Sequence, residues 1–328
     1  MRAAVIGAGL AGAAAARALR SAGADIALFD KARGPGGRMS SRRVETEGGE
    51  IGFDHGAQFV TAQTESFQSF LHSARAAGAA ALWDGRLVSI DRYANREPLR
   101  PKARWVGAPA MNALVRHGLG GFDVAFGHRA RKLAGKPGAW SVVFEDATRE
   151  GPFERVALTL PPEQLIEFLA RSDGDFPDII AEAHRVAITP CWTVMAVLEA
   201  AFDPGFDGAQ IYGGGIRWMA RMASRPGRAG AEAVVLQASP DWSTGFLEED
   251  PATVTRLLCE EAFVRFAMPE PVRALAHRWR YALVKTAAGA PAIMDETRTV
   301  GAAGDWRLGA RAECAWTSGE ALGEALAG

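Results

Sequence analysis

The chain has 328 residues, 48% hydrophobic and 23% charged, a balance that excludes disordered and fibrous classes. Its 37 basic and 38 acidic residues give a formal net charge of -1, which argues against a general polyanion binder, so no nucleic-acid partner is expected. Cys191, Cys259 and Cys314 are scattered and odd in number, so neither a disulfide framework nor a metal site is expected, and a reducing compartment is the simplest reading.

The stretch from Met1 to Ala16 has one charge and superficially looks like a secretory signal. Glycines at 7, 9 and 12, and the continuation Arg17-Ala18-Leu19-Arg20, oppose an export junction. No other stretch approaches the roughly 20 apolar residues that a membrane span needs. A cytoplasmic protein without a membrane partner is expected.

Arg2–Ile6 reads as a short buried parallel strand. It enters Gly7-Ala8-Gly9-Leu10-Ala11-Gly12, followed by an alanine-rich helix from Ala13 to Ala22 that stops at Gly23. Ile26–Phe29 is a second apolar strand ending on Asp30. In this strand–turn–helix–strand context Gly7 permits the tight turn, Gly9 lets a pyrophosphate approach, and Gly12 lets helix and strand pack closely. The free N–H groups of the helix start, at Leu10 and Ala11, would face that phosphate. Asp30 would accept hydrogen bonds from ribose hydroxyls.

The next segment, Lys31 to Ser41, is dense in glycine and positive charge and contains Gly36-Gly37-Arg38-Met39. Such a loop can wrap a diphosphate lying on the first helix, with Arg38 as a planar donor fork; alone, it is equally a solvated basic loop. Phe67, Phe70, Leu71 and Ala74 form one apolar face of a helix over Glu65–Ala77. Strands are expected at Phe122–Phe126, Trp140–Phe144 and Val156–Leu160, and a long one at Val186–Glu199 containing Cys191, Trp192 and Met195. Aromatic residues at Tyr212, Trp218, Trp242, Trp279 and Tyr281 suggest a sheet with an aromatic face able to stack a flat substrate, although each one alone is as well explained by a core. Val300–Trp306 reads as a short strand and turn carrying Gly304-Asp305, and residues 313–322 as a helix.

The Gly-Gly-Arg element resembles that of the two-dinucleotide-domain flavoproteins, which include amine oxidases, protoporphyrinogen oxidases and desaturases. More narrowly, Arg38–Ser41, Gly56–Phe59, Arg104–Gly107, Ala276–Ala282, Gly304–Trp306 and the run from Trp218 to Arg228 resemble bacterial renalase-type flavoproteins, in order along nearly the whole chain. The resemblance implies an α/β fold: a Rossmann-type FAD-binding domain (1–76, 106–170 and 274–328) with an inserted α+β substrate domain (77–105 and 171–273) bearing a mixed or antiparallel sheet. It implies non-covalent FAD held by Gly7, Gly9, Leu10, Ala11, Gly12, Asp30, Lys31, Gly37, Arg38 and Met39, with Gly56, Ala57, Gln58 and Phe59 beside the flavin. Ala130 would meet adenine, Asp305 the ribityl and pyrophosphate region, and the helix start at Ala312 the isoalloxazine. The implied activity is hydride transfer from isomeric dihydronicotinamides (2- or 6-dihydro-NAD(P)) to the flavin, with O2 as electron acceptor, in a monomer or weak dimer. Phe59, Trp192, His277, Arg278, Trp279 and Tyr281 are the substrate-pocket candidates, His277 being equally readable as a core histidine. Arg221, Arg225 and Arg228 would attract substrate phosphates or simply form a solvated face. The rival readings are an amine oxidase, disfavoured by the absence of lysine from Val186–Glu199, and a non-catalytic flavin sensor.

Overall fold

The first strand, Arg2–Ile6, lies inside a six-stranded sheet because nearly every one of its side chains is small or aliphatic and both its faces are covered. In this computed structural model, which describes residues 1–46, 49–228, 230 and 232–328, the sheet order is Ile293–Met294, Val300–Ala302, Arg155–Leu158, Arg2–Ile6, Asp25–Asp30, Val124–Phe126. All pairings are parallel except that of the edge strand Ile293–Met294. The expected strands at 26–29, 122–126 and 156–160 therefore take places in this one sheet, the first two adjacent and the third on the other side of Arg2–Ile6. A three-stranded antiparallel sheet, Ala130–Lys136, Ala139–Phe144 and Arg149–Phe153, packs on it, with Phe29 5.0 Å from Phe144.

The first helix, Leu10–Ser21, is rich in alanine because another helix lies directly against it. Terminal helix Ala312–Ala327 turns Gly319 and Gly323 toward it; a Cβ on Gly319 would stand 2.1 Å from the Ala11 carbonyl oxygen, and one on Gly323 2.6 Å from that of Ala15. Small residues on both partners allow this close approach, which packs the two chain ends together.

The second sheet has seven strands in the order Pro271–Thr286, Ala187–Leu198, Ala233–Ala238, Ile216–Arg221, Gly208–Ile211, Leu87–Ile90, Arg96–Pro98. It is mixed, since Gly208–Ile211 runs parallel to Leu87–Ile90 and the other pairs are antiparallel. Side-chain alternation divides it. Trp192, Val194, Ala196 and Leu198 face the helix Pro251–Phe266, whereas Met195, Val197, Trp218 and Val235 join the core beneath the first helix. The strand Pro271–Thr286 pairs along its length with Ala187–Leu198. No helix among the described residues is long and apolar enough to cross a membrane.

Replacing Gly319 by Val should separate the first and terminal helices and cost about 1–3 kcal/mol or more. Gly245→Ala, whose Cβ meets nothing within 4 Å, is the matched control. Urea unfolding that shows equal losses for the two variants would rule out the close helix contact.

Candidate functional site

The parallel strands end at a crevice, and the glycine turn sits there. Gly7 has φ +105°, a conformation glycine adopts freely, and a Cβ on Gly12 would fall 1.8 Å from the Gly7 carbonyl oxygen. Gly9 differs: a Cβ there would meet nothing within 4 Å, and no side chain caps the helix that Gly9 starts. The first-turn N–H groups at Leu10 and Ala11 therefore open onto free space suited to an anion. The side-chain oxygens of Asp30 accept the Ala8 and Ala32 amides, both at 2.7 Å, which fixes the carboxylate beside the turn and leaves each oxygen a lone pair for a ribose hydroxyl. His128 donates its backbone amide to the Asp30 carbonyl, which brings the strand starting at Ala130 to the same end of the sheet.

The glycine-rich basic loop folds back over this turn, and a Cβ on Gly37 would lie 3.7 Å from the Gly9 Cα. Met39 is buried beneath the loop. Arg38, expected to offer its fork to a diphosphate, instead pairs with Asp305 in bidentate fashion at 2.7 and 2.5 Å and also donates to the Ala282 carbonyl at 3.3 Å. Opposite charges with matching planar geometry pair in this two-pronged way. Lys31 also departs from its expected place, because its Nζ reaches Gln164 at 2.7 Å and the residue is exposed.

Ala57 donates its amide to the Arg38 carbonyl at 2.9 Å, and a Cβ on Gly56 would stand 2.0 Å from that same oxygen. This contact lays the segment 54–59 alongside the basic loop. Gln58, expected beside the flavin, is turned inward: its amide nitrogen donates to the Asp54 and Gly56 carbonyls, while its oxygen accepts from Trp218 and Arg225. A fully engaged buried amide has nothing left for a ligand. Phe59 is half-buried and forms an aromatic group with Trp218 at 5.6 Å and Trp83 at 6.5 Å.

A buried ionic cluster supports that group. Asp54, wholly buried, accepts from the Ser41 hydroxyl, the Met111 amide and the guanidinium groups of Arg225 and Arg228. Burial disfavours the Asp54 charge, yet the two arginines and the hydrogen bonds outweigh it and hold its pKa below the ordinary value. Burial pushes Arg225 down to about 10 despite Asp54, and its guanidinium lies 4.7 Å from the Trp83 ring centroid. Arg225 and Arg228 are thus structural ions rather than phosphate attractors at a mouth, and Arg221 pairs with Asp207 and Glu232. Nothing in the spacing of these arginines along the chain revealed their common carboxylate, and Trp83 was not recognised at all.

The strand Pro271–Thr286 sorts the remaining candidates by face. His277 and Trp279 lie against His55, with ring centroids 4.8 and 5.0 Å away, and Trp279 Nε1 donates to the His55 carbonyl. Arg278 turns the other way, over Trp192 and onto Glu248. Trp192 itself is buried in the opposite core with its Nε1 on the Phe246 carbonyl. Period-two alternation excludes these two from the pocket, a signal available in the sequence. Tyr281 is half-buried in a stretch where the register shifts. His55 is buried with no partner for Nδ1; burial above all, then His277 and Arg42, lower its pKa to about 4, and burial and Arg42 also lower that of His277.

The terminal helix begins at Ala312, half-buried and without a capping side chain. In its first turn, Glu313 accepts the Gln63 and Thr64 amides at 2.6 Å each. Burial opposes its charge, but those backbone bonds prevail and lower its pKa. That carboxylate pins the turn after Phe59 to the helix start. Among the described residues no cluster of three or more His, Cys, Asp or Glu side chains is arranged to hold a metal.

Residues 5–74 match the family model of the NAD(P)-binding Rossmann-like domain. Across the whole chain, the structure is similar to that of a candidate protoporphyrinogen oxidase from Exiguobacterium sp. 255-15 (11% identity, TM-score 0.78, 99% of this chain and 98% of that one). It is also similar to putrescine oxidase with putrescine bound (13%, TM-score 0.73, 100% and 98%) and to cyclohexylamine oxidase from Brevibacterium oxydans IH-35A (11%, TM-score 0.73, 99% and 98%). At these identities the likeness is one of fold: the chain shares the α/β architecture of these oxidases.

Lowered histidine pKa values have a definite sign. Between pH 6.5 and about 4 an unfolded chain takes up a proton at His55 that the folded protein refuses. Stability from this site is therefore intact above pH 6.5 and falls as the pH drops, by roughly 2–3 kcal/mol at pH 4.5. His55→Leu should lose less stability than the parent between pH 7.5 and 4.5; equal losses in urea titrations would contradict the buried neutral imidazole.

Proposed function

We propose that the protein is an FAD-dependent oxidoreductase that takes hydride from 2- or 6-dihydro-NAD(P), releases NAD(P)+ and passes the electrons to O2. The fit to FAD is supported by the open space at Gly9, the free first-turn amides, the fixed Asp30 carboxylate and Gly37 folded back over Gly9. Gly7, Gly9, Leu10, Ala11 and Gly12 would hold the pyrophosphate, Asp30 a ribose, and Arg38 and Asp305 the region between pyrophosphate and flavin. Bound FAD would supply the two-electron acceptor and the route to O2.

One observation carries the choice of substrate: the wall formed by His55, His277 and Trp279 is aromatic, and its imidazoles are held neutral. A dihydronicotinamide ring is flat and uncharged, and its ring nitrogen bears no proton. Losing hydride turns it into an aromatic pyridinium, so no side chain has to remove a proton. The wall would orient the ring and exclude water, which is what the reaction requires of a protein. Overall, dihydro-NAD(P), O2 and one proton give NAD(P)+ and H2O2. An amine substrate would in addition have to shed the proton of its ammonium form before hydride transfer, a step that a dihydronicotinamide does not need.

Anaerobic mixing of the yellow holoprotein with 2- or 6-dihydro-NAD should bleach the flavin band within seconds. Bleaching by small amines and not by dihydronicotinamides would overturn the substrate assignment. Gly9→Val should abolish flavin binding while changing the stability of the flavin-free protein by less than about 1 kcal/mol; normal flavin content in this variant would displace the pyrophosphate from the glycine turn.

A further inference from the structure

Arg104, beside the aromatic group, has no acidic partner among the described residues. Its guanidinium lies 5.5 Å from the Phe59 ring centroid and donates only to the backbone carbonyls of Arg100 and Lys102. Its Nε is buried with no acceptor, and desolvation lowers its pKa, as expected of a cation lacking a counter-ion. By contrast, Arg221, Arg225 and Arg228 each meet a carboxylate.

The segment carrying Arg104 separates two clefts. One, of about 320 Å³, is lined by Thr61, Gln63, His72, Lys102 and Trp105 and contains no carboxylate. The other, of about 800 Å³, is bordered by Trp83, Lys102 and Arg104. It also contains Arg86, whose charge is matched by Asp203 and Asp207, and Asp84. Lys102 borders both. Thr61 and Gln63 follow Phe59 in the turn pinned by Glu313, and Arg104 lies against the Phe59 ring, so both clefts adjoin the segment that carries Phe59.

Resting on the dihydronicotinamide reading, we infer that Arg104, with Lys102, binds the pyrophosphate of the substrate dinucleotide and so selects substrates with an anionic tail. A guanidinium with an unfilled buried N–H, bordered by unpaired positive charge, is a fork waiting for an oxyanion. Packing on Phe59 couples the two ends of one ligand: the face that holds the fork also belongs to the ring beside the flavin segment. A cationic amine would meet repulsion at this position.

The test compares dihydronicotinamide riboside, mononucleotide and dinucleotide on the holoprotein and on Arg104→Met, which keeps an apolar stem over Phe59. KM for the two phosphorylated substrates should rise tenfold or more, with kcat and the riboside kinetics little changed. Arg104→Lys should restore part of the affinity. A uniform loss over all three substrates, or none, would overturn the assignment while leaving the hydride reaction standing. Calorimetric titration with ADP-ribose, which carries the pyrophosphate without the nicotinamide, decides the matter even if no dihydronicotinamide reduces the flavin. Tenfold weaker binding by Arg104→Met supports the anion site, and equal or undetectable binding by parent and variant overturns it.

Discussion

Arg38 is the residue on which the arrangement of the site depends. Its guanidinium grips Asp305 at the C-terminal strand end and touches the Ala282 carbonyl of the long second-sheet strand. Its own carbonyl receives the Ala57 amide and leaves room only for glycine at position 56. One residue thus joins segments separated by 267 positions, and places the glycine turn, the segment 54–59 and the terminal helix in a common frame. Bidentate pairing restrains orientation as well as distance, which a lysine at this position would not do. The ion pair is also largely shielded from water on the Asp305 side, so breaking either half strands a charge.

A second set of buried charges does for the second sheet what Arg38 does for the first. Asp54 draws Arg225 and Arg228 from the turn after Ile216–Arg221 into the interior. Two guanidinium groups on one carboxylate leave an excess positive charge where water is scarce, a costly arrangement that hydrogen bonds to Gln58, Ser41 and Met111 partly offset. The return is positional. Gln58 is locked from both sides, so the adjacent Phe59 is presented to Trp218 and Trp83 in one orientation. A buried pair of this kind contributes little net stability against an apolar replacement, whereas loss of one partner is expensive. Its value here lies in fixing two loops from different units of the chain.

What could be read from the sequence was what is local in it. The turn at Gly7–Gly12, the strand ending at Asp30 and the terminal helix declare themselves through glycine spacing and periodicity, and each stands where expected. Arg38 and Asp305 were both recognised, but as independent ligands, because their pairing is a property of the folded chain alone. Arg225 looked like a surface cation for the same reason: its partner is 171 positions away. Trp192 and Arg278 are a different kind of error. Strand alternation places them opposite Thr193 and His277, and a stricter count of period two separates the two faces without coordinates. Gly319 and Gly323, one helical turn apart, likewise carried a readable sign of close packing against an alanine-rich helix.

The charges around the site are ordered along its length, and this order ties the parts together. At the glycine turn the protein offers backbone amides and the fixed Asp30 carboxylate; near Arg38 the ions cancel; at the His55, His277 and Trp279 wall the groups are neutral. Beyond Phe59 positive charge returns at Arg104 and Lys102, where no carboxylate answers Arg104 among the described residues. Neutrality at the wall is maintained by burial, which disfavours a proton on either imidazole, and by Arg42, which adds to that penalty. Burial and Arg42, rather than Arg104 or Lys102, thus keep the ring wall uncharged. The cations proposed for the tail and the burial that keeps the ring wall neutral therefore act separately, so removing the charge at Arg104 leaves the wall neutral.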